Sequence, residues 1–191
     1  MTGNKDVENE KEQRREEALA RGAERRRQRE GATAKEYPPS PLIQSIEKAL
    51  QHLSVDTEQL MDEVIVRTDP ESLIETCKLL RETAGLEFNY LRCLSAVDYV
   101  ENIEVVYHLS SLEHPHKTVI KTQVLTKSAE LPSVVQIWRG ADWHEREVHD
   151  LFGMAFTNHP NMSPLLLFEG FEGFPLRKSY KIPEQKEGLG G

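Results

Sequence analysis

After Gly85 the hydrophobic period of this chain becomes two. Leu86, Phe88 and Tyr90 alternate with Glu87 and Asn89, and Ile103, Val105, Tyr107 and Leu109 form a second such run. A third follows over Thr118–Thr126, with Ile120 and Val124 on one side and Lys121 and Gln123 on the other. Strict alternation puts one set of side chains on each face of a strand. The connections, near Val100–Asn102 and around Glu113–His116, are too short for parallel crossovers. The three runs are therefore expected to pair as an antiparallel meander with one face packed on helices.

The helices are signposted on both sides of that meander. Leu42, Ile46, Ala49, Leu50 and Leu53 share one face of a helix expected over Leu42–Leu53, and Val64–Val66 reads as a short buried strand. Asp69 stands as N-cap and Pro70 as first residue of the next helix, whose stripe is Leu73, Cys77, Leu80 and Ala84 and whose stop is Gly85. Cys77 lies on the stripe, which makes it a small core residue. Ser133 and Gln136 occupy capping-box positions of a short helix beginning at Pro132 and ended by Gly140, and Asp142 and Glu145 repeat the pattern. That last helix stops at Phe152, with Gly153 as a left-handed cap, before a brief strand at Met154–Thr157. The expected fold class is α+β: a mainly antiparallel sheet with helices on one face, plus an extended C-terminal arm.

Three segments are expected. Residues 1–41 comprise a charged extension and the Pro-rich linker Tyr37-Pro-Pro-Ser-Pro41, residues 42–157 the α+β domain, and residues 158–191 the arm, with a loose tail over Glu184–Gly191. Residues 1–36 hold ten Lys and Arg against nine Asp and Glu and are near neutral, so the acidity behind the net charge of −8 belongs to the remainder. An acidic body argues against nucleic acid as partner. Arg25-Arg-Arg27 reads as a solvated charge run, interrupted by acidic neighbours. Two cysteines, Cys77 and Cys93, are too few for a four-thiolate cluster, and no apolar run reaches the ~20 residues of a membrane span.

The chemistry-bearing motifs are few. His144-Glu-Arg-Glu-Val-His149 has its histidines five apart, which places them on diverging helix faces and defeats a zinc-protease reading. Glu145 and His149 stand four apart and read as an ordinary side-chain pair, while His114 and His116 read as solvated turn residues. Arg146 has Asp142 and Asp150 four residues to either side and is expected to bridge both. Phe168, Phe171 and Phe174 are too many to be covered by so small a domain, and exposed aromatics on an extended segment mark a partner surface. Phosphate loops, nucleophile elbows and dinucleotide fingerprints are absent from the sequence.

The run Glu145-Arg-Glu-Val-His-Asp-Leu-Phe-Gly153, with His159-Pro160 and Gly173-Phe-Pro-Leu-Arg-Lys-Ser-Tyr180, resembles the thirty-kilodalton (C-type) subunit family of respiratory complex I, the NADH–quinone oxidoreductase. Related subunits occur in F420H2 dehydrogenases and membrane-bound hydrogenases. Ser163, Pro164 and Ser179 depart from the family's usual basic and acidic residues. The resemblance implies a structural subunit of the peripheral arm, on the cytoplasmic face of the cell membrane, with no cofactor of its own. Iron–sulfur clusters, flavin and quinone would belong to partner subunits. It implies as partners the hydrogenase-like large subunit of the quinone site and the subunit with the terminal iron–sulfur cluster, and through them the membrane arm. The expected interface is Glu145, Arg146, Glu147, Asp150, His159, Phe174, Arg177 and Lys178. Burial against a partner is expected to give the Arg146 ladder its weight, while Arg177 and Lys178, with no intrachain acid at helical spacing, are expected to find their partners outside the chain. The rival reading is a metal-dependent hydrolase using Glu145, His149 and His159.

Overall fold

The computed structural model describes residues 40–60 and 63–181. The charged extension with Arg25–Arg27, most of the linker and the tail after residue 181 lie outside the described residues. Helix α1 (Pro41–Ala49) begins where Ser40 Oγ accepts the Leu42 N–H and proline fills the first position, and it buries Leu42 and Ile46. It is shorter than the apolar spacing predicts. The Leu50 N–H still bonds back to Ile46, but the Leu53 N–H bonds to Leu50, so the last apolar residues sit in a turn.

A hairpin of β1 (Val55–Leu60) and β2 (Glu63–Thr68) follows. Helix α2 (Leu73–Glu82) starts later than the Asp69–Pro70 signal suggests, because residues 69–73 form turns, with Ser72 N–H on the Asp69 carbonyl. Of its expected stripe Leu73, Cys77 and Leu80 are buried, whereas Ala84 lies past the helix end and is exposed; Gly85 closes the turn with φ +84°.

Leu86 and Phe88 alternate without being a strand. The Leu86 and Glu87 N–H groups bond to the Thr83 carbonyl and that of Phe88 to the Leu80 carbonyl, a local wrap that drives two fully buried side chains under α2. Burying a side chain the size of Phe88 contributes about 1.5–3 kcal/mol, and the Trp138 indole N–H fixes the segment by donating to the Phe88 carbonyl at 3.0 Å. The strand proper, β3 (Tyr90–Asp98), begins where the alternation ends; its register slips between Leu91 and Cys93. Such a bulge breaks the period of two by which a strand is recognised in sequence.

Strands β3, β4 (Asn102–Ser110) and β5 (Lys117–Leu125) form the antiparallel meander. The five-stranded sheet runs β1-β2-β5-β4-β3 and is antiparallel except at β2 and β5, where Val64 pairs with Thr118 and Val66 with Ile120 in parallel. A 3₁₀ turn at Thr126–Ser128 leads to β6 (Glu130–Pro132), which pairs in parallel with β7 (Ala155–Thr157). Between them lies α3 (Ala141–Phe152). The short helix expected from Pro132 is instead a series of turns. Ser133 Oγ accepts the Val135 N–H and donates to Glu145, bending the chain before a helix can form.

Helices α1, α2 and α3 feed one core with the inward residues Val66, Leu94, Val105, Tyr107 and Ile120 of the sheet. Ile65, Val106 and Val119 form a small cluster on the opposite face, beside the Glu104 carboxylate, which pairs with Lys121 at 3.5 Å. Among the described residues no helix is long and apolar enough to cross a membrane.

Candidate functional site

Successive residues of α3 step about 100° around its axis. Ala141, Glu145, Val148 and Phe152 therefore make the buried stripe, and Asp142, Arg146 and Asp150 make the neighbouring one. Asp142 lies inside the first turn rather than at the N-cap, which is Gly140. The second stripe anchors residues 163–167 of the segment 158–181, which contains neither helix nor strand.

Glu145 is fully buried. Its Oε2 accepts the Ser133 hydroxyl at 2.6 Å and its Oε1 the Val134 N–H at 2.7 Å. Burial pushes its carboxyl up to about 7, partly offset by those two bonds. The His159 side chain, also fully enclosed, reaches in from the other side, with Nε2 at 3.7 Å from Asp142 Oδ1 and 3.8 Å from Glu145 Oε2.

Arg146 does not bridge two acids. Its Nη1 faces Asp142 at 3.8 Å, while Nε donates to the Ser163 carbonyl at 3.0 Å and Nη2 to Ser163 Oγ and the Pro164 carbonyl. Asp150 has a different task. Its Oδ2 accepts the backbone N–H groups of Leu165, Leu166 and Leu167 at 2.7, 2.7 and 3.2 Å. Burial works to raise the Asp150 carboxyl, but these three donors together hold it below its ordinary range. The expected charge ladder is thus two separate clamps, each pinning non-regular backbone to the helix.

A third clamp closes the end of α3. Arg177 donates from Nε to the Phe152 carbonyl and from Nη2 to the Gly153 carbonyl, satisfying acceptors that a helix C-terminus leaves open. Arg177 therefore has partners inside the chain, contrary to the sequence expectation; they are carbonyls, which a search for acidic residues at helical spacing overlooks. Gly153 takes the predicted left-handed conformation (φ 62°, ψ 36°), with the Phe174 ring packed on it. The Lys178 N–H bonds to Asp98 Oδ2 at 2.7 Å, and its ammonium lies 5.6 Å from the Tyr99 ring centroid. Asp98 had no local signal, since its partner is 80 residues away. Glu147 is half-buried, and its carboxylate makes no hydrogen bond or ion pair among the described residues.

Outward from these clamps stand large apolar side chains. Phe168 is 70% exposed and Leu166 61%, with Leu176 and, on α3, Trp143 also exposed. Phe171 packs edge-on against Phe168 and stacks on Tyr180. Glu145, His149 and His159 do not converge as a ligand set, and His149 Nδ1 lies 2.7 Å from the Met154 carbonyl. Glu87, Glu113 and His114 do bring ligand-type atoms within 4.8 Å of one another, with His114 bonded to Glu87 at 2.9 Å rather than simply solvated.

Fold and site together define an α+β domain that displays an apolar, aromatic-bearing segment on a polar scaffold. Residues 66–186 match the family described as the respiratory-chain NADH dehydrogenase 30 Kd subunit, and the chain belongs to that family. It is 40% identical over 123 residues to the second C-type subunit of NADH-quinone oxidoreductase from Rhizobium etli, covering 63% of this chain and 65% of that one. With the C-type subunit of the same enzyme from Roseiflexus castenholzii it shares 34% identity over 144 residues, 74% of this chain and 83% of the relative. The fold is similar to a chain of the membrane-bound sulfane sulfur reductase, an archaeal respiratory membrane complex, with TM-score 0.66 at 22% identity over 75% of this chain and 88% of that one.

Proposed function

We propose that this chain is a non-redox structural subunit in the peripheral arm of a membrane-associated, proton-translocating NADH–quinone oxidoreductase, at the cytoplasmic face of the cell membrane. It braces the hydrogenase-like subunit of the quinone site, near the subunit with the terminal iron–sulfur cluster, while clusters, flavin and quinone reside in partner chains. Residues 42–157 are the body and residues 158–191 the partner-binding arm.

The observation that carries this reading is the outward set Leu166, Phe168 and Leu176 on backbone fixed by Arg146, Asp150 and Arg177. Apolar side chains on pre-ordered backbone bind with little ordering cost, which is how a bracing surface gains affinity. Glu145 and His159 act within the chain, as the seat of the arm. Phe174, Lys178 and Glu147 lie toward the partner, with Trp143 added to the face.

The test is co-purification from cells of the tagged quinone-site subunit with Leu166→Ser and Phe168→Ser variants of this chain. Recovery of this chain and quinone reductase activity should both fall at least tenfold, while the isolated variants melt within about 2 °C of the parent, since both side chains are mostly exposed and surface substitutions change stability little. Undiminished recovery in the double variant would refute the interface.

A further inference from the structure

The side chains packed between α3 and residues 159–161 include buried polar atoms that make no hydrogen bond. His159 Nε2 and Asp142 Oδ1 are both buried and make no hydrogen bond. His159 Nδ1 accepts the Asn161 N–H at 3.1 Å, so a neutral ring must carry its hydrogen on Nε2, between two carboxylates that stand too far off to receive it. Buried polar atoms left unmatched in this way mark a site built to take up something further.

We propose that Asp142, Glu145 and His159 form a buried proton-binding site, in which an added proton converts His159 to an imidazolium between the two carboxylates and thereby breaks the turn that seats residues 159–163 on α3. The proton comes from solvent and is taken up at Nδ1, while Nε2 keeps its hydrogen. The His159 ring gains one positive charge and faces two carboxylates, which favours uptake. What is lost is one neutral hydrogen bond, because a protonated Nδ1 can no longer accept from Asn161.

That lost bond is a link in a chain of contacts. Asn161 Oδ1 accepts the Ser163 N–H, and Ser163 offers its carbonyl and hydroxyl to Arg146. Moving Asn161 therefore loosens the first of the three clamps, the one made by Arg146.

The surroundings leave the trio as the titrating unit. From α3, Arg146 faces Asp142 at 3.8 Å, and His149 has its Nδ1 on the Met154 carbonyl. From α2 the Cys77 thiol, and from β4 the Tyr107 hydroxyl, feel the Glu145 charge, but burial holds both well above their ordinary values. Ser133 and Asn161 are uncharged. Burial also pushes the Glu145 carboxyl up to about 7, so it is above that value that His159 faces two carboxylates.

The site rests on this chain's own geometry, and only its consequence for assembly rests on the proposed function. The test is therefore made on the isolated, nitrogen-15-labelled full chain, following ring nitrogens and amides from about pH 5.5 to about pH 8.5, the range in which imidazoles change charge. The His159 ring nitrogens and the Asn161 amide should move together through one inflection. Asp142→Asn and Glu145→Gln should each weaken proton binding at that inflection by about tenfold, one pKa unit. An Asn161 amide indifferent to His159 titration overturns the proposal, as does an inflection unmoved in both variants. The first of these needs only the unsubstituted chain.

Discussion

The Phe174 ring lies so close over the α-carbon of Gly153 that a methyl group there would overlap it. Gly153 also holds φ +62°, so two independent reasons exclude a side chain. Gly153→Ala should destabilise the isolated chain by roughly 1–2 kcal/mol from the left-handed backbone alone, and displacing the ring adds to this. Urea denaturation of G153A and of G153A combined with F174A separates the terms, the double variant recovering the steric part. Equal stabilities of G153A and the parent would contradict the packing.

Asp150 serves one short stretch of backbone and little else. Asp150→Ala leaves the N–H groups of Leu165, Leu166 and Leu167 without their acceptor, and hydrogen bonds to a charged group contribute about 1.5–3 kcal/mol. Amide exchange at those three positions should accelerate by tenfold or more while β4 amides keep their rates. The carboxyl is held low in the folded state, so its contribution is present above the ordinary carboxylate pKa and disappears as the pH falls through the depressed value. Unchanged exchange at Leu165–Leu167 would be the contrary result.

Arg177 is a cap and not a free surface charge. Arg177→Ala should cost about 1–2 kcal/mol in the isolated chain, from two bonds to helix-end carbonyls and their interaction with the helix dipole. Arg177→Lys should recover part of it, since an ammonium keeps the charge but not the planar fork. Thermal melts decide the matter; an alanine variant as stable as the parent would return Arg177 to the role expected from sequence.

Glu145 makes stability depend on pH in the direction opposite to Asp150. Its carboxyl is raised from 4.5 to about 7 in the folded chain, so the folded state holds a proton that the unfolded state releases. The stabilisation is complete below pH ~4.5 and is lost as the pH rises through about 7, amounting to roughly 3 kcal/mol. Glu145→Gln, which resembles the protonated form, should lack that loss. Denaturation of both chains at about pH 5 and about pH 8 should show the parent losing stability relative to the variant by this order. A pH-independent difference would remove Glu145 as the cause.

How far the sequence revealed this structure depended on whether each signal was local. The meander was legible because Ile103, Val105, Tyr107 and Leu109 keep one face inside without interruption, and the end of α3 because a left-handed cap needs glycine. Strand β1 was hidden because it alternates Thr57 and Gln59 with Asp56 and Glu58, polar on both faces. The parallel pairing of β2 with β5 joins segments separated by α2 and two strands, which no short connection announces. Family resemblance drew attention to Glu145 and Asp150, but neither role could be read from residue type. Glutamate is seldom fully buried, and the Asp150 donors lie 15 to 17 residues downstream.

The attachment of residues 165–167 to Asp150 runs entirely through backbone N–H groups. Any residue except proline offers such a donor, so the hook is indifferent to what the segment displays. In the proposed bracing role, Leu166 and its neighbours can be exchanged to match a changing counterpart while their anchorage stays the same. Asp150 is in this sense a mount with interchangeable fittings: a drifting partner can be followed by substitutions at the tip alone, leaving the helix beneath untouched.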